Sequence, residues 1–213
     1  MLKLYVADTG LIASQQVFDS FISKMNEQRR AKVLRCKNEG DRLCSLLAGV
    51  LLRHGLEQEG LDYDTLEFSV TQERKPVLVS HPEVFFSLSH SGTRAVCLIS
   101  DRQIGVDVEN RSRRLFAYGQ EEHLMAVAKR SFTQKEYEAF VTLSREEQQE
   151  FFLKLWTRKE AVSKAVGKGL AMNFSEIDKA EEHYLSFWVD EEYYLSIYME
   201  EKIGEELEIC MMN

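Results

Sequence analysis

Ile104-Gly105-Val106-Asp107-Val108-Glu109 alternates strictly between apolar and small or acidic residues. Successive side chains of a strand point to opposite faces, so Ile104, Val106 and Val108 share one face and Gly105, Asp107 and Glu109 the other. The stretch therefore predicts a strand buried on one side. Downstream, Thr133-Gln134-Lys135-Glu136 and Ser144-Arg145-Glu146-Glu147 both have the form of a capping box. The second opens a helix expected over 145–166, with Gly167 at the usual C-terminal position. Strands are expected at 184–189, 193–199 and 207–212, with Asp190-Glu191-Glu192 as a turn. Upstream, the pattern predicts a strand at 2–7 and a helix near 14–25. A further helix is expected over 39–57, where Leu43, Leu46, Leu47, Val50 and Leu51 recur at helical steps and Gly55 marks the stop. Strands at 65–70, 84–89 and 94–100 follow, the last two joined by His90-Ser91-Gly92-Thr93. Residues 72–83 hold both prolines, Pro76 and Pro82, and read as a loop. Strand, helix, strands, then the same again, is an α+β order. We expect two similar lobes, a pseudo-dimer, each an antiparallel sheet packed on a long helix. The division near residue 103 gives an N-terminal lobe, 1–103, and a C-terminal lobe, 104–213. No linker composition separates them, so they should share an interface.

The composition sets outer limits. The chain has 213 residues, 44% hydrophobic and 29% charged, which fits a soluble globular protein and excludes collagen-like, disordered and disulfide-scaffold classes. No apolar run approaches the roughly 20 residues of a spanning helix. The opening Met1–Gly10 reads as a strand, not a secretory leader. Cys36, Cys44, Cys97 and Cys210 form no C-x-x-C pair and read as reduced thiols of a cytoplasmic protein. The net charge of −8 argues against a general nucleic-acid binder. Charge is nevertheless uneven: residues 24–53 carry eight Lys/Arg against three acids, and 176–213 carry twelve acids against two lysines. The first segment suits a phosphate-rich ligand; the second reads as a solvated face.

Several groups could carry chemistry. Asp107 and Glu109, one strand repeat apart, place two hard oxygen donors on one face, and Gly105 beside them removes bulk and leaves room for a ligand. That donor set suits Mg²⁺, which binds few carboxylates and completes its shell with water and phosphate; a half-exposed strand facing water explains the pair as well. Trp156, Glu160 and Lys164 are four apart on one helical stripe, with Lys159 at its edge. They could serve a metal and its phosphate, or simply form an i,i+4 pair beside a core tryptophan. His90 between Ser89 and Ser91 at a strand end could take an anion. Glu73-Arg74-Lys75-Pro76 is a stiff basic turn, and Arg29, Arg30, Lys32, Arg35 and Lys37 form a basic run.

Order and spacing together are more specific. Gly105-Val106-Asp107-Val108-Glu109 followed by Trp156-Thr157-Arg158-Lys159-Glu160-Ala161-Val162-Ser163-Lys164 resembles the Sfp-type 4′-phosphopantetheinyl transferases. Their pattern is a G-x-D-x-E strand and then W-x-x-K-E-x-x-x-K on a helix. Arg74-Lys75-Pro76 and Ser89-His90-Ser91 stand where the family has G-K-P and S-H-S, and the likeness spans about residues 25–175. Two departures are Arg74, where the family usually has Gly, and Ser87, where many members have Asn.

The resemblance implies transfer of the phosphopantetheine arm of coenzyme A to a serine of an acyl or peptidyl carrier protein, releasing 3′,5′-ADP. It implies Mg²⁺ held by Asp107, Glu109 and Glu160. Lys164 would bind the phosphates and stabilise the leaving group, Lys159 would assist, and Glu160 or a metal-bound water would be the general base. Arg29, Lys32 and His90, with Ser45, would bind the 3′-phosphate of coenzyme A; Glu73, Lys75, Pro76 and Ser89 would line the adenine site. The N-terminal lobe would then hold coenzyme A, and the C-terminal lobe the metal, the catalytic residues and the carrier, docked at Gly167-Lys168-Gly169-Leu170-Ala171-Met172. A cytoplasmic monomer acting on neither nucleic acid nor membrane is expected. The alternatives are a non-catalytic module binding coenzyme A or a carrier protein, and another Mg²⁺-dependent phosphoryl-transfer enzyme or nuclease.

Overall fold

The computed structural model describes every residue except Arg74, Arg113, Tyr118, Glu205 and Asn213, and every side chain of the rest except those of Arg114 and Leu170. The departure at Arg74 and the expected contact of Leu170 with a carrier therefore lie outside what is described. In chain order the main elements are β1 (Leu2–Asp8), α1 (Gln15–Ser23), α2 (Glu27–Arg35), α3 (Glu39–Gln58), β2 (Phe68–Val70), β3 (Pro76–Leu78), β4 (Phe85–Ser91) and β5 (Arg94–Ser100). They continue with β6 (Ile104–Asn110), α4 (Glu121–Ser131), α5 (Gln134–Phe140), α6 (Arg145–Val166), β7 (Tyr184–Trp188), β8 (Tyr193–Met199) and β9 (Glu208–Met212).

Local chemistry accounts for most of these boundaries. Thr133 and Ser144 each close a capping box with the glutamate three residues on, and α6 ends where Gly167 turns to φ 85°. Gly92, at φ 58°, makes the two-residue turn between β4 and β5. α2 lies in the basic run, where no apolar periodicity marks a helix because its buried face is one residue wide, Val33. β3 falls in the expected loop, starting at Pro76 and pairing with β2 in a short ribbon. Gly55 is no stop signal. It lies inside α3, where a Cβ would come within 2.5 Å of Ile99 Cδ1 and 2.7 Å of Tyr5 Cε2, so the glycine lets the helix rest on β1 and β5.

The first sheet has the order β4-β5-β1-β9 and the second β6-β8-β7. α3 covers the first through Leu46, Leu47, Leu51 and Leu56 against Tyr5, Cys97 and Ile99. α6 covers the second, where Ala161, Val162 and Ala165 pack with Tyr198 and Phe174. The two sheets enclose a third apolar layer of Leu4, Val6, Val96 and Leu98 against Ile104, Val106, Val108, Leu195 and Ile197. Each fully buried aliphatic side chain there contributes on the order of 2 kcal/mol. The expected apolar face of β6 is thus buried between the sheets, and its other face meets α6.

Two expectations are corrected. The first sheet is mixed, not antiparallel, because β9 runs parallel to β1 with Tyr5 opposite Cys210. For the same reason the boundary near residue 103 fails for the last strand: β9 lies beyond it in sequence but completes the first sheet. Parallel neighbours cannot be joined by a tight turn, so the chain returns to β1 only after the second sheet is built.

Candidate active site

The site forms where β4, the edge of one sheet, meets β6, the edge of the other. No backbone ladder joins these two strands. Instead the hydroxyls of Ser87, Ser89 and Ser91 accept hydrogen bonds from the backbone N–H groups of Val106 (3.0 Å), Val108 (3.3 Å) and Asn110 (3.1 Å). Alternation places the three serines on one face of β4, and the strand repeat matches them to every second N–H of β6.

Two of these hydroxyls donate onward to the acidic pair. Ser89 Oγ donates to Asp107 Oδ1 at 2.8 Å and Ser91 Oγ to Glu109 Oε2 at 2.8 Å. From the helix side, Lys164 Nζ donates to both Asp107 Oδ1 and Ser89 Oγ at 2.7 Å, and Trp156 Nε1 to Glu109 Oε1 at 3.2 Å. Glu160 lies on the same stripe of α6, one turn from each of those contacts. Asp107 is only 4% exposed, and its Oδ2 is buried without a hydrogen-bond partner.

Gly105 is what lets the helix come this close. A Cβ there would lie 2.6 Å from the Ala165 nitrogen and nearer still to the Ala161 carbonyl oxygen. The space beside Asp107 expected for a ligand is therefore filled by the backbone of α6.

The three expected carboxylates do not by themselves make a closed cage. Among the described residues no three acidic, imidazole or thiol side chains lie close enough together to hold an ion by themselves. Asp107 and Glu109 are drawn to separate partners, Ser89 with Lys164 and Ser91 with Trp156. The donor set nonetheless fits a hard divalent cation. An orphaned, buried carboxylate oxygen is costly, and Mg²⁺ asks for only one or two carboxylates when phosphate oxygens and water supply the rest.

Lys159 stands apart from that set. Its ammonium points away from the carboxylates and is 2% exposed. It donates to the carbonyl oxygens of Phe174 (3.0 Å) and Ile177 (2.9 Å) and pairs with Glu136 at 2.8 Å. Burial lowers its pKa, opposed by Glu136. Neighbouring residues on a helix diverge by about 100°, so Lys159 cannot share the face of Glu160; it fastens the 174–177 segment to α6.

The basic residues gather beside Lys164. Desolvation, then the charges of Lys164 and Lys32, and more weakly Arg29, hold the His90 imidazole below its usual range. Desolvation and neighbouring Arg29 and Lys164 likewise depress Lys32. The Arg29 guanidinium is also depressed by burial, and its stem crosses α3 at Gly49. Four cationic or basic groups thus form an anion-attracting corner. Ser45, on α3 one turn before Gly49, has a buried hydroxyl without a hydrogen-bond partner. From this corner a cleft of about 200 Å³ opens, lined by Lys32, Glu73, Lys75, Pro76, Lys164 and Gly167, among others. Lys75 Nζ donates to the Ala165 carbonyl at the end of α6 (2.7 Å), and burial lowers its pKa to about 8. Gln103 donates to the same oxygen at 2.7 Å. Ser89, expected at the adenine, is instead buried in the joint between β4 and β6. A larger hollow of about 270 Å³, lined by Ile12, Ser14, Phe18, Glu39, Arg42 and Leu43, contains none of these residues.

Reading the sequence singled out Ser89 and His90 but missed Ser87 and Ser91 as parts of the joint, along with Gln103. The serine pattern, every second residue of one strand, was the available signal.

Comparison with known proteins gives the family. Residues 103–210 match the model of the 4′-phosphopantetheinyl transferase superfamily, and residues 12–102 match that of a 4′-phosphopantetheinyl transferase N-terminal domain. The chain is 29% identical over 172 residues to the 4′-phosphopantetheinyl transferase Sfp of Bacillus subtilis, covering 80% of this chain and 73% of that one. It is 34% identical over 133 residues to the 4′-phosphopantetheinyl transferase HetI of a Nostoc species, covering 61% and 50%. With the mouse L-aminoadipate-semialdehyde dehydrogenase-phosphopantetheinyl transferase it shares 30% over 141 residues, covering 62% and 45%. With two family models tiling the chain on either side of the β4–β6 joint, this protein belongs to the 4′-phosphopantetheinyl transferase superfamily.

Proposed function

We propose that this chain transfers the 4′-phosphopantetheine group of coenzyme A to a serine hydroxyl of an acyl or peptidyl carrier protein. The observation that carries the reading is Lys164: one ammonium binds the Asp107 carboxylate and also lines the cleft beside the cationic corner. A diphosphate there meets a cation and a carboxylate platform together.

In the reaction the carrier serine oxygen forms a bond to the β-phosphorus of coenzyme A. The bond from that phosphorus to the bridging oxygen of the departing 3′,5′-ADP breaks, and the serine proton goes to Glu160. Lys164 neutralises charge growing on the leaving phosphate. Arg29, Lys32 and His90 hold the 3′-phosphate, with Ser45 lending its hydroxyl, and Lys75, Pro76 and Glu73 line the cleft for the adenine. Asp107 and Glu109 would hold Mg²⁺, which when bound would supply charge neutralisation on the diphosphate. Glu160 faces the same diphosphate from the helix. Most of the acceleration comes from such positioning and electrostatics.

The two-lobe plan reads as a pseudo-dimer whose seam is the active site, with Gly167–Met172 beside the cleft as the carrier-docking stretch. The reading is of a monomer working in the cytoplasm without nucleic acid or membrane. Among the described residues no helix is long and apolar enough to cross a membrane, and all four cysteines are free.

The test is mass spectrometry of carrier proteins after incubation with the enzyme, coenzyme A and Mg²⁺. A phosphopantetheine mass gain on serine is expected with the wild type and its loss with Asp107→Ala. Tight binding of coenzyme A without any mass gain across a carrier panel would instead make the chain a binding module.

A further inference from the structure

The joint between β4 and β6 has a fixed arithmetic. Ser87, Ser89 and Ser91 accept from Val106, Val108 and Asn110, a constant separation of 19 residues, so the two edges run alongside each other in one direction. Each hydroxyl that donates does so to the residue one earlier on β6: Ser89 to Asp107 and Ser91 to Glu109. By the same offset Ser87 faces Gly105, which has no side chain to receive a proton. The three serines therefore do the same work for the joint but different work for the site.

Ser91 is the informative one. Its oxygen accepts from the Asn110 N–H, and its single proton is directed at Glu109 Oε2. Trp156 Nε1 holds the other oxygen, Oε1, from α6. The Glu109 carboxylate is thus gripped at both ends by donors from two different elements. Grips of this kind orient carboxylate ligands and are commonly worth a factor of about 10–100 in metal affinity. Ser89 has a second duty through Lys164, so it cannot isolate the effect.

We propose that Ser91 is a positioning residue for the reaction, its hydroxyl fixing the Glu109 carboxylate against Trp156 so that Glu109 presents a preset oxygen to the divalent cation. The inference rests on the cation reading of Asp107 and Glu109 given above. It assigns Ser91 no contact with substrate.

The test compares Ser91→Ala, Ser91→Thr and Ser87→Ala in the full-length protein, with Mn²⁺ titration followed by water-proton relaxation and, separately, thermal unfolding. Both alanine variants lose one hydroxyl from the joint and should lose similar Tm. Only Ser91→Ala should weaken Mn²⁺ binding, by about tenfold, and Ser91→Thr, which keeps the hydroxyl, should restore it. Equal Mn²⁺ affinity in Ser91→Ala and wild type overturns the proposal, as does equal weakening in Ser87→Ala. Absence of Mn²⁺ binding by the wild type overturns the cation reading itself.

Discussion

Replacing Gly105 by alanine tests the geometry on which the site depends. The added Cβ would lie 2.6 Å from the Ala165 nitrogen and closer to the Ala161 carbonyl, both backbone atoms of α6. Ordinary contact begins near 3.4 Å, so strand and helix must part by at least about 0.8 Å, and the Ala161 oxygen asks for more. No rotamer can absorb this. The 2.7 Å bonds from Lys164 to Asp107 and Ser89 then stretch past hydrogen-bonding range. Overpacking of this kind costs about 1–3 kcal/mol, or a Tm loss of roughly 2–12 °C in a domain this size. Misplacing catalytic groups by about 1 Å costs about 10²-fold in rate. The assay is initial-rate transfer to a carrier protein at saturating coenzyme A, with unfolding scans on the same samples. Ala161→Gly should not rescue the variant, because the obstruction is main chain. The reasoning is refuted if Gly105→Ala keeps wild-type Tm and kcat while only the KM for coenzyme A rises; that pattern would mean the glycine makes room for substrate and not for the helix.

Other outcomes follow from the same contacts. Lys159→Met should cost on the order of 3 kcal/mol in chemical denaturation, since it takes the ion-pair partner from Glu136 and leaves the Ile177 carbonyl without its donor. The rate per folded molecule should stay near wild type, because the ammonium faces away from the carboxylates. Lys75 titrates near 8 when folded and near 10.5 when unfolded. Between those values the unfolded chain binds more protons, so stability should rise with pH there. Unfolding free energies measured from pH 7.5 to 10.5 should show that rise in the wild type and a smaller one in Lys75→Met, while coenzyme A affinity falls as the charge is lost. His90→Ala should raise the KM for coenzyme A about tenfold, the loss of one charge-assisted contact. It should leave 3′-dephospho-coenzyme A nearly unaffected in parallel kinetics.

What could be read from the chain alone is what local chemistry fixes. Period-two alternation at 104–109 gave β6 and its two faces, and the Thr133 and Ser144 capping boxes gave the starts of α5 and α6. The family motifs then put Asp107, Glu109, Glu160 and Lys164 at one site. Tertiary packing decided the rest. Lys159 and Glu160 are adjacent letters, but only one can face β6, and which one depends on where α6 lies. Gly105 looks like a space for ligand until a helix backbone is seen filling it. β9 belongs to the first sheet because the open side of β1 offers unpaired backbone groups that no local pattern can announce. The serines at 87, 89 and 91 are visible as a stripe, yet their partners lie 19 residues away on a strand that makes no backbone ladder with theirs. Secondary structure reports forces between near neighbours, whereas this site is set by the distance between two sheet edges, which exists only once both sheets and the apolar layer between them have formed.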